Sequence, residues 1–226
     1  MVQVLESALM VRVLLMGYSM LMVAAATGQP AAAQPIAVVQ PIAVMQPAAT
    51  AQPQYGMRLD GAAVRSLAAP GTKAVVLFFV ATDCGVSNRT FPEMRRVREE
   101  FADKGIRVWF VYPNVGETAA GVKQHQAEFD AGGDALLDAK GALTRLAGAK
   151  VTPSVAVLVP RDDLWKPVYV GRIDDRYVRL GLQRPQVQTH FAERVVREVL
   201  EGRPVERAVG MPVGCGIMQP DLETSR

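Results

Sequence analysis

From residue 73 onward, unbroken apolar runs take turns with stretches in which apolar residues recur every three or four positions. The run Ala74-Val75-Val76-Leu77-Phe78-Phe79-Val80 has no polar interruption, which predicts a strand over 73–80 covered on both faces. Met94, Val97 and Phe101 then follow at helical spacing, and Gly105 stands where a helix needs a left-handed residue to end. Residues 106–112 are again continuously strand-like. A helix is expected over about 117–129, a short extended piece over 135–137 and a short helix over 140–147. Val155 to Val159 reads as a buried strand, Arg161-Asp162-Asp163 as a turn, and residues 168–170 as its hairpin partner. A last helix covers 187–200, stopped by Gly202 and Pro204. Alternating strands and helices that finish in a hairpin and a helix predict an α/β domain, with a mixed central sheet flanked by helices.

The pattern breaks at both ends. Residues 34–54 repeat Gln-Pro-Ile-Ala-Val and carry further Gln-Pro pairs, a composition that favours an extended, polyproline-like tether. Residues 1–33 read as an export leader: Arg12, an apolar stretch over 13–23, then small residues with acceptable cleavage points after Ala26 or Ala33. Glu6 is out of place in a leader's basic end, so Met10 is the favoured start. The stretch is short for a membrane span of ~20 residues, so cleavage is expected rather than anchoring, which is the only membrane contact foreseen. The mature protein would then be periplasmic or secreted, where disulfides persist. The folded domain is expected over 55–202, and a tail over 203–226.

Half of the 226 residues are hydrophobic, enough for a substantial core, and the net charge is only +3. The basic residues are scattered, so no nucleic-acid partner is expected. Two cysteines exclude a disulfide scaffold and a structural zinc site. There is no Gly-rich phosphate loop, paired-His zinc motif or Gly-x-Ser-x-Gly elbow, and neither cofactor nor metal is expected. Met211 and Met218 flank Cys215 in a way that suits Cu(I), but no second cysteine has the spacing such a site needs. His125 and His190 read as surface residues of helices.

Chemistry concentrates at Cys84, between the first strand and the first helix. A thiol at a helix N-terminus meets free backbone N–H groups and the positive end of the helix dipole, which favour the reactive thiolate. The alternative is a buried, inert cysteine. Ser87 is either the helix-capping residue or a hydrogen-bond donor to the sulfur. Asp83 would raise the thiol pKa, and Arg89 would offset that if it folds back.

The segment Phe79-Val80-Ala81-Thr82-Asp83-Cys84-Gly85-Val86-Ser87 resembles the active-site turn of thioredoxin-like proteins. Pro92 stands where those proteins carry a helix-kinking proline, and Val151-Thr152-Pro153-Ser154 where they carry a cis-proline loop. Together with residues 171–177 and Val213-Gly214-Cys215, the segment is similar to exported bacterial redoxin-domain proteins of the AhpC/TSA type. The resemblance spans about 55–218. It implies a thioredoxin-like fold and a substrate-binding loop at Thr152 and Pro153, where an extended peptide adds as a strand.

The departures shape the chemistry. Ser87 replaces the second cysteine of Cys-x-x-Cys, so this turn cannot release a mixed disulfide by itself. Ala81 and Leu77 stand where thiol peroxidases carry Thr and Pro. Cys215, 131 residues after Cys84, is the candidate resolving thiol, or alternatively one end of a structural staple. The leading expectation is a thiol–disulfide oxidoreductase with Cys84 attacking, Cys215 resolving, and Ser87 and Arg89 tuning the thiolate. Its substrate would be a thiol- or disulfide-containing protein or small molecule, and a separate reductant would regenerate it. A thiol peroxidase and a redox-silent binding module are the alternatives. The charged run from Arg172 to Arg179 reads as a solvated turn, or else as a docking rim for a partner or the tail.

Overall fold

The computed structural model describes residues 54–162, 164–206 and 210–219. The expected leader and nearly all of the expected tether lie outside them. No helix among the described residues is long and apolar enough to cross a membrane.

The three apolar runs become adjacent strands. β2 (Ala74–Phe79) lies at the centre, parallel to β3 (Ile106–Tyr112) and antiparallel to β6 (Ser154–Arg161). β4 (Asp134–Leu137) extends the sheet parallel to β3, β1 (Met57–Arg58) adds antiparallel to β4, and β7 (Leu164–Gly171) forms the hairpin partner of β6. The order is β1-β4-β3-β2-β6-β7, a mixed sheet.

All six residues of β2 are buried, because both faces are covered. Side chains alternate along a strand. Val76 and Phe78 therefore face α1 (Gly85–Glu100), through Phe91, Met94 and Val97, and α4 (Phe191–Leu200), through Val195 and Val196. Val75, Leu77 and Phe79 face the other way, against α3 (Ala142–Ala147) and the segment holding Val64 and Leu67. Trp109 joins this second layer, and its indole N–H donates to the Leu67 carbonyl at 2.8 Å, so its one polar atom is satisfied. The fold is thioredoxin-like, as the resemblance implied.

Helix ends lie inside the expected ones. α2 (Ala119–Glu128) starts at the Thr118 cap, whose side chain accepts from the Gly121 N–H, and α4 starts at Phe191 rather than 187. Five short pieces carried no sequence signal: β1, β5 (Val151–Thr152), the β8 (Tyr177–Arg179) and β9 (Leu182–Gln183) hairpin, and β10 (Cys215–Gly216).

His125 is not a surface residue. It is 4% exposed, with Nε2 2.8 Å from Asn88 Oδ1 and Nδ1 2.9 Å from the Tyr112 hydroxyl. An amide oxygen only accepts, so Nε2 carries the hydrogen and Nδ1 accepts from Tyr112. Gln126 in turn donates to that hydroxyl at 3.1 Å. A neutral ring satisfies every group, and burial lowers the His125 pKa despite Glu128. The unfolded chain then takes up this proton first as pH falls, so His125 costs stability below about pH 6.5. The denaturation midpoint is expected to fall from about pH 7.5 to about pH 5.5, and to fall less in His125→Gln. Equal drops in the two proteins would contradict this.

Candidate active site

The turn between β2 and α1 is fixed before the thiol is reached. The Thr82 amide and hydroxyl each donate to one carboxylate oxygen of Glu117, both at 3.0 Å, and the Val80 amide donates to the Val111 carbonyl. Cys84 follows as the N-cap of α1, with extended backbone (φ −92, ψ 102). Ser87 is therefore not the cap. It lies in the first turn and is fully buried, with its side chain and backbone N–H close enough to favour a thiolate at Cys84.

The second wall is the loop at Thr152 and Pro153, which are joined by a cis peptide bond. The Cys84 thiol donates to the Thr152 carbonyl at 3.3 Å. The third wall is the tail. β10 pairs antiparallel with β5, setting Cys215 opposite Thr152 and Gly216 opposite Val151. This register puts the Cys215 sulfur 2.6 Å from the Cys84 sulfur. Only a small adjustment separates that distance from a bond of about 2.05 Å. No bond joins the two sulfurs in this structure.

Further hydrogen bonds hold the tail. The Ile217 amide donates to the Lys150 carbonyl at 3.0 Å, and the Met218 amide to Asn114 Oδ1 at 3.0 Å. The Gln219 side-chain amide donates to the Pro113 and Asp138 carbonyls, both at 2.9 Å, in a site where Gln219 is itself buried. Gly141 makes room for this side chain, since a Cβ there would lie 2.2 Å from the Gln219 amide oxygen.

The two sulfurs differ sharply in acidity. Burial pushes the Cys84 thiol up, but the Cys215 thiol, the Ser87 side chain and backbone N–H, and the Thr152 side chain, all close to the sulfur, outweigh it and leave its pKa below that of an ordinary thiol. Cys215 is pushed up to about 12 by burial, by its hydrogen bond to Cys84, and by the negative charges of Cys84 and Asp83. When the pair gives up its first proton, the charge settles on Cys84 and the remaining proton stays on Cys215. Asp83 thus bears on the tail cysteine.

Expectation and structure part at four places. Cys84 is completely buried, with the tail over it, rather than accessible. Arg89 is exposed and lines a cleft with Glu93, Arg96, Asp174 and Arg176 instead of folding over the sulfur. The run from Arg172 to Arg179 is not a solvated turn. Asp174 and Asp175 are buried and accept backbone N–H groups, from Arg176 at 2.9 Å and from Gln188 at 2.8 Å. Arg172 and Tyr177 border a small cavity with the tail residues Pro212 and Val213, so part of the run does form a rim for the tail. His190 occupies the N-cap position of α4 and is half-buried, with its ring Nδ1 2.8 Å from a Glu93 carboxylate oxygen.

Glu117, Asn114 and Gln219 are site residues the sequence did not announce. Gly214 had a signal, its position beside Cys215. Met211 and Met218 are 76% and 58% exposed, and no group of three His, Cys, Asp or Glu side chains among the described residues could hold a metal ion.

Residues 44–164 match the AhpC/TSA family. No curated protein matches the chain. Among solved structures, an uncharacterized conserved protein from Geobacillus kaustophilus is 22% identical over 75% of this chain and 90% of its own, with a TM-score of 0.58. A hypothetical protein from Sinorhizobium meliloti 1021 is 20% identical over 73% of this chain and 94% of its own, with a TM-score of 0.61. A secreted disulfide oxidoreductase from Mycobacterium tuberculosis is 15% identical over 67% of this chain and 96% of its own, with a TM-score of 0.42.

Proposed function

The chain belongs to the AhpC/TSA family, and on that footing we propose that it is an exported thiol–disulfide oxidoreductase working through Cys84 and Cys215. The observation that carries this reading is the 2.6 Å approach of two cysteine sulfurs, one of them at a helix N-terminus. Export rests on the leader-like pattern of residues 1–33.

In the first step the Cys84 thiolate attacks one sulfur of a substrate disulfide. The Cys84–substrate bond forms, the substrate disulfide breaks, and its other sulfur leaves as a thiolate. Cys84 has then lost its negative charge, and with it go two of the causes that hold Cys215 protonated. Cys215 gives its proton to the departing sulfur and attacks Cys84. The Cys84–Cys215 disulfide forms and the second substrate thiol is released. The substrate gains two electrons and the cysteine pair loses two. An external dithiol returns them to the pair. Thr152 and Pro153 form the substrate-binding loop, and Ser87 steadies the thiolate.

Reduced protein incubated with a disulfide-bonded peptide is expected to lose two hydrogens in intact mass. Peptide mapping would then show Cys84 linked to Cys215, and a dithiol would reverse the change. A substrate left oxidised, with both cysteines still open to alkylation after unfolding, refutes the assignment. An arm with hydrogen peroxide separates peroxidase chemistry, for which Ala81 and Leu77 supply none of the usual groups.

A further inference from the structure

We propose that residues 213–219 are an internal stand-in for the substrate. The groove beside Cys84 accepts an extended polypeptide whose cysteine is preceded by glycine, and the tail vacates the groove when such a partner docks and re-enters it when Cys215 displaces the partner from Cys84. This rests on the exchange reading above and names the substrate class of that site.

The tail lies in the groove as an added strand. Cys215 and Gly216 pair with Thr152 and Val151 through backbone groups, which any extended chain possesses. Side-chain selection comes from the two glycines beside Cys215. A Cβ on Gly214 would lie 1.9 Å from the Thr152 carbonyl oxygen and 2.9 Å from Pro153 Cδ. Backbone and a proline ring cannot yield as a flexible side chain would, so the position before the cysteine admits glycine alone. A Cβ on Gly216 would meet nothing within 4 Å, so the position after the cysteine tolerates any residue.

Occupancy decides access. Cys84 is wholly buried with the tail in place, and a polypeptide reaches it only over an empty β5 edge. Two paired residues, the Asn114 and Val115 contacts with Met218, and the Gln219 anchor are a grip that a competing strand can replace. Once Cys84 and Cys215 are bonded the tail is tied in the groove. The form that receives a polypeptide is therefore the dithiol, and electrons flow from this protein to its partner.

The test uses the full reduced chain and two variants, Gly214→Ala and Gln219→Ala. Both are expected to raise the rate of Cys84 alkylation by iodoacetamide about tenfold or more, since each loosens the tail without touching a thiol. A labelled synthetic peptide of residues 211–219 carrying Cys215→Ser is expected to bind the Gly214→Ala chain and not the unaltered chain. The same peptide carrying Gly214→Ala as well is expected to bind at least about tenfold more weakly. Unchanged alkylation in both variants, or equal binding of the two peptides, overturns the proposal. Reduction of a small aromatic disulfide by the same preparations isolates the underlying chemistry. Turnover there without any groove effect removes only the stand-in, whereas no turnover in any preparation removes the exchange reading as well.

Discussion

Cys84→Ser is expected to cut disulfide reduction at least about 10⁴-fold, to the background of the assay. The hydroxyl is not ionised at neutral pH and forms no bond with a disulfide sulfur, so the first step has no nucleophile. Loss of fold does not explain such a result, because the side chain sits at the N-cap of α1, where serine is among the preferred residues. Its hydroxyl also keeps a donor for the Thr152 carbonyl that now accepts from the thiol. Thermal stability of the reduced variant should therefore match or exceed that of the parent. Normal turnover by Cys84→Ser places the chemistry elsewhere.

Replacing Cys215 separates its two roles. Cys215→Ser keeps a hydroxyl donor beside Cys84 but has no resolving thiol, so the Cys84–substrate mixed disulfide is expected to accumulate to near stoichiometry and multiple turnover to stop. Cys215→Ala stalls at the same step and also removes the strongest of the hydrogen bonds that favour the Cys84 thiolate. Its alkylation midpoint is expected at higher pH than in the serine variant. Non-reducing electrophoresis and the pH dependence of alkylation read the two effects independently. Rapid release of substrate by either variant, with no added thiol, assigns resolution to another group.

The sheet was legible in the sequence wherever a strand was long and buried on both faces. The runs that became β2, β3 and β6 needed no tertiary information, since dense apolar and β-branched residues bounded by turn signals leave few alternatives. β5 and β10 were not legible, because two residues have no periodicity and their pairing depends on a tail that returns from 63 residues away in the chain. His125 looked like a surface residue because α2 has little amphipathic character, and only the Tyr112 and Asn88 partners make its burial tolerable. Asp174 and Asp175 looked solvated for a related reason. Alternating charges suggest an exposed turn, and a run of sequence does not reveal that two carboxylates fold inward to accept backbone N–H groups. Arg89 follows from geometry as well: five residues along α1 from the cap, its side chain leaves the sulfur's end of the helix for the neighbouring cleft.

The burial of Cys84 beneath the chain's own tail has a consequence for its lifetime. An exposed thiolate is open to successive oxygen additions, through sulfenic to sulfinic and sulfonic acids, and the later stages are not undone by thiols. Between encounters this sulfur rests sheathed against Thr152 and Cys215, where stray oxidants have no approach path. If a first oxygen does arrive, a neighbouring thiol stands in contact to condense with the sulfenic acid and expel water. Damage is thereby diverted into a disulfide that a dithiol can reopen.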